Sequence, residues 1–151
     1  MRRVLMGLLL AGIAGAAHAA DFVVVTSNDP AIPRGQEYAG GQAIQVAPGK
    51  SIVVIDPAGN VKRLAGGAAA QTVPRRQLAS VDDQRMAVVK LLLAPPRVRR
   101  AAPKLDQVCP AADLKTFDGI LAVAPVDGCL GRARDAFEAY VERAAGPEPA
   151  A

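Results

Sequence analysis

Few residues in this chain could carry chemistry, because it has a single histidine, two cysteines and no tryptophan. The histidine, His18, lies in an N-terminal segment typical of a cleaved signal peptide, so we expect the mature protein to have no imidazole. Without one, Ser-His-Asp and Cys-His catalysis and His-liganded zinc or iron sites are excluded. We therefore expect no catalytic residue, no metal site and no cofactor.

Paired carboxylates are the remaining candidates for catalysis, since two of them can hydrolyse a glycosidic bond. The candidate pairs are Asp82 with Asp83 and Asp113 with Asp118. Adjacent side chains such as Asp82 and Asp83 point in different directions, and at the start of a predicted helix both favour the positive end of its dipole. A small periplasmic hydrolase that uses carboxylates is therefore an alternative interpretation rather than the leading one.

Cys109 and Cys129 are predicted to form a disulfide, because they are an even count in a chain with an export signal. A redox or metal-binding pair is the alternative, but the chain has no Cys-x-x-Cys spacing to favour it. Closing a loop of about twenty residues should stabilise the fold by roughly 3 kcal/mol on the chain-entropy estimate.

Residues 1–19 have the pattern of a secretory signal peptide. Two arginines follow Met1, an apolar stretch runs from Val4 to Ala17, and small residues flank His18. The apolar stretch is too short for a lasting transmembrane anchor, and no cysteine follows it to accept a lipid. We expect a periplasmic or secreted protein that begins near Ala20 and has no transmembrane helix after cleavage.

Charge is unevenly distributed along the expected mature chain. Loss of Arg2 and Arg3 leaves 16 basic against 14 acidic residues, a net charge of about +2. Residues 62–104 hold ten Lys or Arg and only two Asp, whereas residues 105–151 hold eight acidic and four basic residues. No aromatic residue lies within 62–104 to stack on bases, so we expect no nucleic-acid partner.

The first half of the mature chain predicts a small β module over residues 20–74. A short β-branched run predicts a strand at 22–26, and three further strand-like runs follow at 42–46, 51–55 and 61–64. Proline and glycine in the connections at 47–50 and 56–60 predict tight turns, so the last three runs should form an antiparallel meander. The run at 51–55 is apolar on both faces, so residues 23–25 and a later helix are expected to cover it.

The second half predicts helices. A helical segment at 75–93, with an amphipathic helix over 80–93, should pack on the sheet. A Pro/Arg linker follows at 94–108, then a disulfide-linked helical region at 109–146 with a short helix near 113–121 and a longer one at 130–145. Residues 147–151 should form a frayed tail. The predicted fold class is α+β: a small antiparallel β meander packed with a helix, followed by a disulfide-stapled helical C-terminal part.

Four basic residues in the linker are the candidate partner-binding residues: Arg97, Arg99, Arg100 and Lys104. One interpretation is a solvated linker, since four charges in a loop gain little at physiological salt. The alternatives are contact with an acidic protein and peripheral contact with acidic lipid headgroups.

Residues 41–64, with a Gly-led strand, a turn glycine, an apolar strand and an Asp-Pro-Ala-Gly turn, resemble the β repeat of FecR-like periplasmic domains. The resemblance implies a small extracytoplasmic β structure used for contact. The chain lacks the family's anti-sigma segment and transmembrane helix, so regulation of a sigma factor does not carry over. The leading hypothesis is a non-catalytic exported protein that interacts with an envelope protein or complex; membrane-surface binding through the linker remains an alternative.

Overall fold

A computed structural model describes residues 20–75, 81–95 and 109–147 of the chain. Within them, antiparallel strands and three helices form an α+β fold with a disulfide in the C-terminal part, which confirms the predicted fold class. The predicted signal peptide at 1–19, the basic residues Arg97, Arg99, Arg100 and Lys104, and residues 148–151 lie outside the described residues.

Two antiparallel sheets form from six short strands in the described ranges. The strands are β1 (Phe22–Ser27), β2 (Glu37–Tyr38), β3 (Ala43–Ile44), β4 (Ser51–Ile55), β5 (Val61–Ala65) and β6 (Gln71–Thr72). The larger sheet has the order β2-β1-β4-β5, and β3 pairs with β6 in a separate two-stranded sheet.

The pairing of the predicted strand at 42–46 differs from the expectation. Only residues 43–44 form a strand, and they pair with β6 rather than with β4. The reason lies in packing, since Ile44 and Val46 are buried against Ile52 and Val54 on one face of the larger sheet. The residues of this run indicated a strand, but they could not specify its partner strand.

Strand β4 is buried on both faces, as its apolar sequence predicted. Val53 and Ile55 belong to the core shared with the helices, whereas Ile52 and Val54 belong to the core beneath the small sheet. Strand β1, which was expected to cover β4, instead lies beside it and pairs with it in antiparallel register. The molecule therefore has three layers: helices, a four-stranded sheet and a two-stranded sheet.

The helices are α1 (Val81–Leu93), α2 (Phe117–Val123) and α3 (Leu130–Ala145). Their bounds confirm the predicted helices at 80–93 and 130–145 to within one residue. The short helix begins four residues later than expected, because Thr116 caps it by accepting a hydrogen bond from Gly119 N at 3.2 Å. On α3, Phe137 and Val141 are buried, whereas Ala144 is exposed.

The predicted disulfide between Cys109 and Cys129 is present, with the two Cα atoms 5.7 Å apart. Cys129 is fully buried and occupies the position just before α3. No side chain caps the first turn of α3. The disulfide therefore fixes the start of this helix to the segment that leads into α2.

Asp29 joins two loops at one end of the larger sheet. Its carboxylate accepts hydrogen bonds from Ala31 N at 3.0 Å and from Ala47 N at 2.9 Å. The Ala47 amide, and then the Ala31 amide, hold the pKa of Asp29 below its usual value, because both donate to the charged form. The bond to Ala47 ties the loop after β1 to the turn before β4.

Replacement of Asp29 by Asn is expected to remove an acid-sensitive part of the stability. Because the folded pKa lies below the usual 3.8, this stabilisation is present above that value and is lost as the pH falls through the folded pKa. Wild type should therefore be more stable than Asp29→Asn at pH 6, and the difference should shrink below about pH 4. Urea unfolding from pH 2.5 to 7 measures the difference in stability between the two proteins and its change with pH. The exposed Asp127→Asn is the control, and an equal pH profile for all three proteins would contradict the expectation.

Candidate functional site

A cleft of about 350 Å³ opens between the larger sheet and helix α3. Its floor is apolar: Val25 and Val53 come from β1 and β4, and Phe137 and Val141 from α3. The floor residues belong to the core shared by sheet and helices. We refer to this opening as the α3 cleft, and its size is at the small end of the range for ligand pockets.

Charged side chains form the rim of the α3 cleft: Arg34, Arg63, Glu138 and Glu142. The sheet register places Arg63 of β5 opposite Val53 of β4, which in turn lies opposite Thr26 of β1. Glu138 and Glu142 are four residues apart on α3 and so lie on the same face of the helix. The rim therefore combines residues that are distant in sequence.

Arg34 and Glu138 form an ion pair at 3.2 Å across one end of the cleft. Their side chains are 43% and 63% exposed, so solvent screens the pair and its contribution to stability is small. Its effect on the site is to neutralise two of the four rim charges. Arg63 and Glu142 remain as the rim charges without an ion pair among the described residues.

Arg63 is half-buried and is held by a backbone contact at the end of α3. Its Nη2 donates to Gly146 O at 3.2 Å. Its Nε is buried and has no hydrogen-bond acceptor within the described ranges. A buried donor without an acceptor costs about 1 to 3 kcal/mol, and more when the group is charged. Arg134 Nε and Asp21 Oδ1 are likewise buried without a partner among the described residues, so Arg63 is a candidate binding residue because its unpaired charge lies at the rim of the α3 cleft.

Two further clefts extend the α3 cleft along the helix. One, of about 350 Å³, lies between the end of α1 and the start of α3 and shares Arg34 and Glu138 with it. The other, of about 480 Å³, lies at the end of α3 and shares Arg63 and Glu142. Because they share these rim residues, the three clefts lie next to one another along α3, between Pro95 after α1 and Pro147 after α3. We refer to the three clefts together as the α3 groove.

The turn between β4 and β5 fixes α3 against the sheet. The Tyr140 hydroxyl donates to Gly59 O at 2.7 Å, and the Tyr140 ring stacks on Phe117 with 5.6 Å between centroids. Arg85 lies 5.3 Å from the centre of the Phe117 ring and donates to Pro57 O at 2.6 Å. Burial, followed by the nearby Asp56 charge, raises the pKa of Tyr140, which favours the protonated hydroxyl that donates to Gly59 O.

Two of the carboxylates considered for hydrolysis, Asp113 and Asp118, have structural roles. Asp113 accepts a hydrogen bond from Lys115 N at 2.9 Å, and Asp118 pairs with Arg85 at 2.6 Å. Asp83 is exposed on α1. The side chain of Asp82 lies outside the described part of the chain. None of the described members of these pairs lines the α3 cleft.

Sequence reasoning missed all four rim residues. Glu138 and Glu142 have the spacing of a solvated helix face, and only the fold brings Arg34 and Arg63 beside them. Both glutamates project from one helix, whereas a glycosidase needs carboxyl groups on opposite sides of the scissile bond. Among the described residues, no group of three or more His, Cys, Asp or Glu is placed to hold a metal ion.

Comparisons with protein-family models, with curated proteins and with solved structures found no significant match. In the described parts of the chain, no helix is both long and apolar enough to span a membrane.

Proposed function

We propose that this chain is a non-catalytic exported protein that acts by binding an envelope protein or complex. The observation that carries the proposal is the α3 groove, whose central cleft has an apolar floor and a charged rim. Protein-binding surfaces commonly have an apolar centre surrounded by polar residues. The groove lies along a helix that the disulfide and Tyr140 hold in place, so a partner would meet a preformed surface.

Three features support an extracytoplasmic location. Residues 1–19 have the pattern of a signal peptide. Cys109 and Cys129 form a disulfide, which is typical of proteins in oxidising compartments. The resemblance of residues 41–64 to the β repeat of FecR-like domains favours a small extracytoplasmic structure used for contact.

Site-specific photocrosslinking in the native cell envelope tests the proposal. A benzophenone amino acid at the exposed position Glu142, in the α3 groove, should give a crosslink to one partner protein. The matched control is the same amino acid at exposed Ala43 of β3, in the small sheet on the other face of the larger sheet. Equal products from both positions, or none from position 142, would contradict a partner site at the groove.

The same crosslinking experiment separates the groove from the basic linker. In a variant with Arg97, Arg99, Arg100 and Lys104 replaced by Ser, crosslinking from position 142 should persist if the groove is the main contact. Loss of the crosslink in the folded variant would assign the contact to the linker instead. Flotation with anionic vesicles, of the protein with its native linker and of this four-residue variant, tests membrane-surface binding through these residues.

A further inference from the structure

Arg63 has more hydrogen-bond donors than the residues around it use. A guanidinium group carries five N–H donors and stays charged at all physiological pH values. In the described structure, Arg63 makes one hydrogen bond, to Gly146 O, and its buried Nε has no acceptor. It also lacks a carboxylate partner there. The buried Nε is closed to a ligand, but one hydrogen bond uses only one of the four Nη N–H donors, so the rim of the α3 cleft contains a partly desolvated cation with unused Nη donors.

We propose that the α3 cleft binds a segment of the partner protein that presents a carboxylate to Arg63 and an adjacent apolar side chain to the cleft floor. This inference rests on the proposed function and names the chemistry of the partner. A carboxylate suits Arg63 because it can accept two parallel N–H···O bonds from one guanidinium. An apolar side chain suits the floor because Val53 and Phe137 line it. A volume of about 350 Å³ accommodates only a short segment.

The other rim charges determine how strongly such a segment binds. Arg34 is already paired with Glu138 and so adds little attraction. Glu142 lines the same cleft as Arg63 without an ion pair in the described residues, and its negative charge opposes an incoming carboxylate. Removal of the Arg63 charge should therefore weaken binding, whereas removal of the Glu142 charge should strengthen it. A purely apolar site would show neither change.

Titration of the purified, oxidised protein with short peptides tests the inference. The protein is expressed from the full chain, and binding is followed by ¹H–¹⁵N NMR, including the Arg63 Nε–H signal. The probes are acetyl-Leu-Leu with a free carboxylate, acetyl-Glu-Leu-amide with a side-chain carboxylate, and acetyl-Leu-Leu-amide with none. At least one acidic probe should shift the signals of Arg63, Val53 and Phe137, whereas the neutral probe should bind more weakly. Equal binding of all three, or shifts confined to other surfaces, would overturn the inference.

Matched variants then identify the groups responsible. Arg63→Gln should weaken binding of the acidic probe about tenfold or more, and Arg63→Lys should restore only part of it because a lysine cannot bind in the bidentate mode. Glu142→Gln should strengthen binding about twofold to fivefold. Arg132→Gln, at an exposed position of α3 outside the cleft, should leave it unchanged. If Arg63→Gln does not fold, unchanged or weaker binding by Glu142→Gln still rejects the inference.

The peptide titration tests the carboxylate chemistry and the crosslinking experiment tests the partner protein, so either one can fail while the other succeeds. A crosslink at position 142 without acidic-probe binding would reject the carboxylate chemistry and keep the protein-binding role. Acidic-probe binding without any crosslink would reject the partner protein and, with it, the inferred occupant of the cleft.

Discussion

Replacement of Gly59 by alanine is expected to lower the free energy of unfolding by about 3 kcal/mol, which combines backbone strain with overpacking. Gly59 has a φ angle of +90°, which strains any residue with a Cβ atom. An added Cβ would also lie 2.5 Å from Cδ1 and 2.6 Å from Cγ of the Phe117 ring. The ring has little room to move, because it is buried and stacked on Tyr140. Urea denaturation of the oxidised protein gives the free-energy change.

Gly49→Ala is the matched control for this substitution. Gly49 also has a positive φ angle, +71°, but an added Cβ there meets nothing within 4 Å. This variant should lose only the backbone component, about 1 to 2 kcal/mol. The difference between the two variants therefore measures the contact of the β4–β5 turn with Phe117. Equal destabilisation of both variants would show that Phe117 moves aside freely and that the turn does not fix the helices.

Loss of the disulfide should destabilise the protein by about 3 kcal/mol on the chain-entropy estimate. The bond joins Cys109 and Cys129, which are 20 residues apart, and so closes a loop that contains α2. The first turn of α3 lacks a side-chain cap, so this end of the helix depends on the disulfide for its position. A double Cys109→Ala, Cys129→Ala variant is preferred to serine, because Cys129 is fully buried and a hydroxyl there would need a partner.

Reductant provides the control for the cysteine variant. Wild-type protein in dithiothreitol should unfold at the same lower urea concentration as the double-alanine variant, and the variant itself should not respond to dithiothreitol. Because α3 forms one wall of the α3 cleft, the loss of the bond should also weaken the crosslink from position 142. A loss of less than about 1 kcal/mol would mean that packing of Phe137 and Val141 alone fixes the helix.

Both substitutions concern features that the sequence indicated in part. Asp56, Pro57 and Gly59 predicted a tight turn, and the paired cysteines predicted a disulfide. The sequence could not show that Phe117 and Tyr140 pack against this turn, because they follow it by 58 and 81 residues. The local conformation was thus predictable, whereas the contact that makes alanine costly at position 59 was not.

The sequence by itself determined the elements whose causes are local. Helical spacing of apolar residues located α1 and α3, short strand-like runs located β4 and β5, and turn residues located the hairpin between them. The prediction of an export signal, and with it the expectation of a mature chain without histidine, also rests on composition and order alone. Each depends on residues that are close together in the chain, so no tertiary contact is needed to recognise it.

Only the tertiary structure decided which strands pair and where the candidate site lies. The run at 42–46 predicted a third meander strand paired with β4, but β3 pairs with β6 instead. Pairing with either strand would bury its apolar residues, so the sequence could not distinguish the two. The α3 cleft joins Arg34, Arg63 and Glu138 from a loop, a strand and a helix. Nothing in their spacing distinguishes them from ordinary surface charges. Burial of the Arg63 Nε arises from packing of the end of α3 on the sheet, and that packing exists only in the folded chain.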